Sequence, residues 1–180
     1  MKSFSLALSI LLLSSVFCYS QENNANKVLG LKKIPAVEVK SIDGKSFNTA
    51  NITNDGKPII ISFWATWCKP CVNELTTIED VYEDWQKETG VKLIAVSIDD
   101  SKTTGNVKPM INGKGWDYEI LLDVNSDFKR AMNVNLVPHT FVINGNGEIV
   151  WQHTSFSQGS ELKLIEIVRK VAKGEALDKE

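Results

Sequence analysis

Two stretches of the chain are runs of predominantly apolar residues. Pro58 to Trp64, PIIISFW, is rich in β-branched residues and too short for a helix. It predicts a strand buried on both faces. Val91 to Ile98, VKLIAVSI, predicts a second one. Between them Val72, Leu75, Ile78, Tyr82 and Trp85 recur at helical spacing, with Glu79, Asp80, Glu83 and Asp84 on the polar side. Gly90 supplies the stop. Strand, helix and strand in this order predict a βαβ unit with parallel strands and a right-handed crossover.

The flanking patterns are weaker. Ala36 to Lys40 and Ser46 to Ala50 surround the turn signal Asp43-Gly44 and predict a hairpin ahead of the βαβ unit. Residues 101–115 predict a helix with Ser101 as its cap, although Gly105 and Pro109 weaken the pattern. Ile120 to Leu122 predicts a short strand and Ser126 to Met132 a short helix. Thr140 to Ile143 and Glu148 to Gln152 bracket Asn144-Gly145-Asn146-Gly147, a strong hairpin turn. Leu162, Ile165, Val168 and Ala172 form the apolar stripe of a last helix.

The first twenty residues follow another pattern. Lys2 precedes an apolar, serine-dotted run from Phe4 to Phe17, and Cys18-Tyr19-Ser20 closes it. This is the layout of a signal peptide, residues 1–20, with cleavage after Ser20. The run is shorter than the roughly 20 apolar residues of a membrane-spanning helix. An uncleaved anchor, or a lipid on Cys18, are the alternatives; Phe17 is a poor lipobox residue before that cysteine. Residues 21–33 read as a flexible tether, 34–174 as one folded domain and 175–180 as a C-terminal tail.

The chain has 180 residues, enough for one domain with a sizeable core, and its hydrophobic fraction of 43% is that of a globular protein. A formal net charge of -2 gives no reason to expect nucleic acid or an anionic membrane as partner. Asn51-Ile52-Thr53 matches a glycosylation acceptor, a triplet common by chance.

The chemistry concentrates in WATWCKPC, residues 64–71. With Cys18 removed, Cys68 and Cys71 are the only cysteines. Zinc needs four ligands, and after Cys71 the chain offers only the widely separated His139 and His153. Covalent haem needs CxxCH, and Val72 follows Cys71. A structural disulfide across two residues closes too small a loop to constrain the unfolded chain much. A redox dithiol fits better. Cys68 falls where the predicted helix begins, and a helix N-terminus favours the thiolate, the attacking species. Lys69 adds a positive charge, and Pro70 is tolerated in a first turn. Cys68 then attacks a disulfide and Cys71, one turn in, resolves the mixed disulfide.

FWATWCKPC resembles the active-site segment of the thioredoxin superfamily. With IPAVEVKSIDGKSF before it and NVNLVPHTFVINGNGEIV after it, the chain resembles the exported TlpA/ResA-like thiol-disulfide oxidoreductases over residues 34 to 172. The resemblance implies an α/β thioredoxin-like fold: a mixed central sheet, helices on both faces and an extra N-terminal β-hairpin. It makes residues 99–123 the family's insertion. It implies that Val137-Pro138 is a cis peptide beside the dithiol, whose backbone pairs with substrate. It implies that Glu74 handles the proton when Cys71 attacks, a task that thioredoxin gives to an acid at the position of Ser62. Trp67, Lys69, Pro70, Val137, Pro138 and His139 then form the client-binding surface, with His139 equally readable as an ordinary strand residue. His153 reads as structural or solvated, and Trp64, Trp85, Trp116 and Trp151 as packing residues.

The implied function is that of a monomeric, extracytoplasmic oxidoreductase without cofactor or metal. It would reduce disulfides in exported clients such as apocytochromes c, with a membrane thiol carrier as electron donor. An oxidase or isomerase, or a non-catalytic partner-binding module, are the competing readings. A peroxidase lacks the expected threonine-to-cysteine spacing, since Thr66 is two residues from Cys68.

Overall fold

The computed structural model describes residues 32–177. The predicted signal peptide, most of the tether and the last three residues of the tail lie outside them.

Seven strands form one sheet in the order β2-β1-β5-β4-β3-β6-β7. The strands are β1 (Glu38–Ser41), β2 (Ser46–Asn48), β3 (Ile59–Trp64), β4 (Lys92–Ser97), β5 (Glu119–Leu122), β6 (His139–Ile143) and β7 (Ile149–Thr154). The helices are α1 (Lys69–Thr89), α2 (Val107–Lys114), α3 (Asp127–Ala131) and α4 (Ser160–Ala172). Strands β3, β4 and β5 run parallel; β6 is antiparallel to β3, and β7 to β6. The β1–β2 hairpin joins antiparallel to β5. This is the mixed α/β architecture implied by the resemblance.

Every residue of β3 is buried, because the strand lies between β4 and β6 with helices on both of its faces. Its side chains alternate between the two layers. Ser62 and Trp64 face α1: Ser62 meets Glu74 of that helix, and Trp64 packs edge-on against Trp116 at 5.2 Å. Phe63 faces the opposite layer, 5.2 Å from Phe128 of α3 and 6.0 Å from Phe141 of β6. Helix α4 packs beside α1, where Arg169 pairs with Glu88. Gly90 ends α1 in the left-handed conformation at φ 68°, which only glycine adopts at little cost. Gly145 serves a different need: a Cβ there would lie 2.0 Å from the carbonyl oxygen of Gly56, so the β6–β7 turn rests directly on the loop before β3.

Three local expectations are corrected. Ser101 caps no helix; Asp100 instead closes a turn by accepting the N–H groups of Lys102 and Thr103, and α2 begins only at Val107. In α4 the buried face is Leu164, Ile165, Ile167 and Val168, while Leu162 is 69% exposed. Two residues span about 200° of helix, so Leu162 must point away from a face centred near Leu164 and Val168. Lys33 bridges to Glu148, and the Ile149 N–H bonds to the Lys32 carbonyl, so these two residues align along the last hairpin.

Phe63 is fully buried where α3, β3 and β6 meet. Phe63→Ala is expected to destabilise the domain by about 3–5 kcal/mol, measured as a loss of unfolding free energy in urea.

Candidate active site

The parallel strands β3 and β4 end on the same side of the sheet, and β6 begins there because it runs antiparallel, with Phe63 opposite His139. Three connections therefore converge: the turn Ala65–Trp67, the segment after β4, and Val137–Pro138 before β6.

The first carries the dithiol. Cys68 is the N-cap of α1, with Sγ accepting the Cys71 N–H at 3.3 Å, and Pro70 sits in the first turn. Cys68 and Cys71 form a disulfide. Cys71 is fully buried and Cys68 nearly so, at 6% exposure. The second connection holds the turn in place. Asp99, buried at the end of β4, accepts hydrogen bonds from the Thr66 N–H at 2.9 Å, the Thr66 hydroxyl at 2.6 Å and the Ser97 hydroxyl at 2.9 Å. A buried carboxylate is tolerable because these donors replace water. The third connection contains the cis Val137–Pro138 bond, and the Val137 carbonyl oxygen lies 3.7 Å from Cys68 Sγ. In the disulfide Cys68 has no S–H to donate, so this is a sulfur–oxygen contact.

Around these groups the surface is mixed. Trp67 and Leu136, one residue from Cys68 and from Val137 respectively, are 62% and 70% exposed. A groove of about 460 Å³ runs over the outer side of α1, lined by Lys69, Pro70 and Asn73, with Lys114, Phe156 and Gln158 beside them.

Beneath the dithiol a polar row crosses three strands. Ser62 of β3 is registered with Thr140 of β6, and Thr140 with His153 of β7. Glu74 of α1, only 2% exposed, lies over this row. The Ser62 hydroxyl donates to Glu74 Oε2 at 3.2 Å and the Thr140 hydroxyl to Oε1 at 3.0 Å. His153 Nε2 lies 3.5 Å from Oε1. Each hydroxyl can donate to a carboxylate or accept from a carboxylic acid, so the row can hold Glu74 in either protonation state. Cys71, three residues earlier on the same helix, shares its buried side.

The structure thus brings Cys68, Cys71, Glu74, Val137, Pro138, Trp67, Lys69 and Pro70 to one end of the sheet. His139 is placed differently. It is buried, on the α3 side, stacked on Phe141 at 4.4 Å and hydrogen-bonded through Nε2 to Gln152 at 3.2 Å. Asp99 and His153 are the residues that the sequence reading missed. For Asp99 the signal is its place just past a buried parallel strand. For His153 the obstacle is a β-bulge between β6 and β7. Counting regularly from the Ile143–Ile149 pair puts His153 opposite His139; the bulge shifts it by one residue, to Thr140 and the Glu74 side.

A family model described as the AhpC/TSA family matches residues 31–152. A relative in Halalkalibacterium halodurans, named thiol-disulfide oxidoreductase ResA, is 29% identical over 97% of this chain and 98% of its own length. Another of that name in Bacillus thuringiensis is 30% identical over 67% of each chain. Among solved structures, a thioredoxin-like protein from Porphyromonas gingivalis is 56% identical and superimposes with a TM-score of 0.70, covering 78% of this chain and 92% of that one.

Burial holds the His139 pKa below its ordinary value of 6.5; the Gln152 hydrogen bond only partly opposes this. A depressed histidine pKa means that the unfolded state takes up the proton first as pH falls. The stability linked to His139 is therefore intact above pH 6.5 and is lost as pH drops below it. An NMR titration should find the His139 ring midpoint below 6.5, and chemical unfolding should show the matching loss of stability on acidification.

Proposed function

The chain belongs to the AhpC/TSA family and is a thiol-disulfide oxidoreductase of the ResA kind, and from that premise we propose that it reduces disulfides in exported proteins, apocytochromes c among them. The single observation that carries this reading is a disulfide whose first sulfur caps a helix and lies 3.7 Å from the Val137 carbonyl oxygen, with the buried Glu74 carboxyl three residues beyond the second cysteine on the same helix.

The reduced protein begins the cycle. The N–H groups of the first α1 turn and the nearby Lys69 favour Cys68 as a thiolate. Cys68 attacks one sulfur of the client disulfide; a Cys68–client disulfide forms and the first client thiolate leaves. Glu74 takes the proton of the Cys71 thiol. The Cys71 thiolate then attacks Cys68 Sγ, the intramolecular disulfide forms and the second client thiolate leaves. The client gains two electrons, and a membrane thiol carrier restores the dithiol by the reverse exchange.

The surroundings support a protein client. Trp67 and Leu136 offer apolar contact on either side of Cys68, the Val137 carbonyl can pair with an extended client backbone, and the Lys69–Lys114 groove accepts the flanking chain. His139 faces away from Glu74, and its stacking on Phe141 supports a part in fixing β6 beneath the client-binding segment. Export rests on the pattern of residues 1–20; among the described residues no helix is long and apolar enough to cross a membrane.

Trapping tests this reading. Cys71→Ser leaves the attacking sulfur without its resolving partner. Expressed with its native leader, this variant is expected to accumulate mixed disulfides with exported proteins, released by dithiothreitol and absent when Cys68 is also replaced by serine. A variant that traps no exported protein would contradict the proposal.

A further inference from the structure

His153 carries an unexplained feature. Both of its ring nitrogens are buried and neither has a hydrogen-bond partner, although the side chain as a whole is 22% exposed. Orphaned buried nitrogens in a native protein call for a cause. Here one of them, Nε2, is aimed at Glu74 Oε1 from 3.5 Å. That is beyond a formed hydrogen bond, but catalytic contacts in resting enzymes are often long and close during turnover.

We propose that His153 is the exit for the proton that Glu74 takes from Cys71, a positioning residue acting through Glu74 on the closure of the disulfide. This rests on the acid–base reading of Glu74 given above. The geometry favours it over a packing role in three ways. Glu74 is 2% exposed and its other partners, Ser62 and Thr140, are interior hydroxyls, so among the described residues His153 is the contact that leads from it toward the surface. Strand β7 is the edge of the sheet and the His153 side chain keeps 22% exposure, so the residue that meets the polar row also reaches solvent. The bulge in β7 is what puts the ring on the Glu74 face at all.

The step balances as a proton transfer. Glu74 carboxylate accepts the Cys71 thiol proton and, before closure, passes it on to neutral Nε2, which gives carboxylate and imidazolium and leaves the Cys71 thiolate committed. That thiolate closes on Cys68 and expels the client thiolate. A half-turn of the ring about Cβ–Cγ exchanges the positions of Nε2 and Cε1, and those of Nδ1 and Cδ2, carrying an N–H from the buried side to the exposed ring edge, where water takes the proton. No electrons move in these last steps. Among the described residues the titratable groups shown to bear on the ring are Glu74 from α1 and, through the sheet, His139 from β6; the neighbours from β3 and β6, Ser62 and Thr140, are neutral.

The test separates attack from closure. Reduced protein is mixed with glutathione disulfide in a stopped-flow fluorimeter and followed by tryptophan emission. Attack by Cys68 gives a phase proportional to glutathione disulfide concentration; closure by Cys71 gives one independent of it. His153→Gln is expected to slow closure about tenfold and to leave attack within about twofold. His153→Ala should slow closure likewise, and free imidazole should restore it. Glu74→Gln should slow closure without imidazole rescue. If Glu74→Gln slows closure and both His153 variants close at the wild-type rate, the exit is overturned and the Glu74 reading stands. If Glu74→Gln closes normally, both fall together. Equal slowing of attack and closure in His153→Gln, or no rescue of His153→Ala, would make His153 a packing residue and overturn the proposal. Should His153→Ala fail to fold, His153→Gln decides by its two phases alone.

Discussion

The structure depends on one junction: a fully buried strand must turn within four residues into a helix whose N-cap is one cysteine of the disulfide. Cys68 Sγ accepts the Cys71 N–H and so does the work usually given to a serine or aspartate side chain at a helix start. In the proposed cycle the atom that stabilises the helix is also the atom that attacks the client. Its position is therefore set by everything that fixes β3 and α1. Strands β4 and β6 hold β3 from both sides, and Asp99 ties the intervening turn to the end of β4 through Thr66. Within this frame Cys71 is fully buried and Cys68 keeps a slight exposure of 6%.

The second constraint is the buried carboxyl. Glu74 could not be placed beneath Cys71 without groups to satisfy it, and the sheet supplies them by register alone. Ser62, Thr140 and His153 are cross-strand neighbours, each contributed by a different strand, and their side chains lie on one face because the pleat demands it. Fold and chemistry meet in that row: a one-residue slip of β7 would send His153 to the other face and leave Glu74 with two hydroxyls. The β-bulge is thus part of the site, although it lies outside the dithiol itself.

These two features explain which parts were legible in the sequence. β3, α1 and β4 were readable because a continuous apolar run and a 3.6-residue rhythm each have one physical solution. Cys68, Cys71 and Pro70 follow from their place at that seam, whereas Glu74 is singled out by the family resemblance. The cis Val137–Pro138 bond was expected from the family resemblance, since no local pattern distinguishes it from a trans bond. Asp99 was not legible, because its value comes from meeting Thr66 across 33 residues of chain. His153 reads as structural or solvated because a bulge leaves no mark that simple counting detects. Leu162 misled because it is apolar and near the right period, yet lies on the wrong side of a helix whose buried face is set by α1 and the sheet.

The central claim is that this dithiol gives electrons to exported clients. The midpoint potential of the Cys68–Cys71 couple at neutral pH, from equilibration with a buffer of reduced and oxidised dithiothreitol or glutathione, tests it most directly. The account predicts a value near or below roughly -250 mV, in the neighbourhood of thioredoxin, where the reduced form is a ready donor. A value near roughly -120 mV, that of a strong disulfide donor, would contradict it and reverse the direction of electron flow.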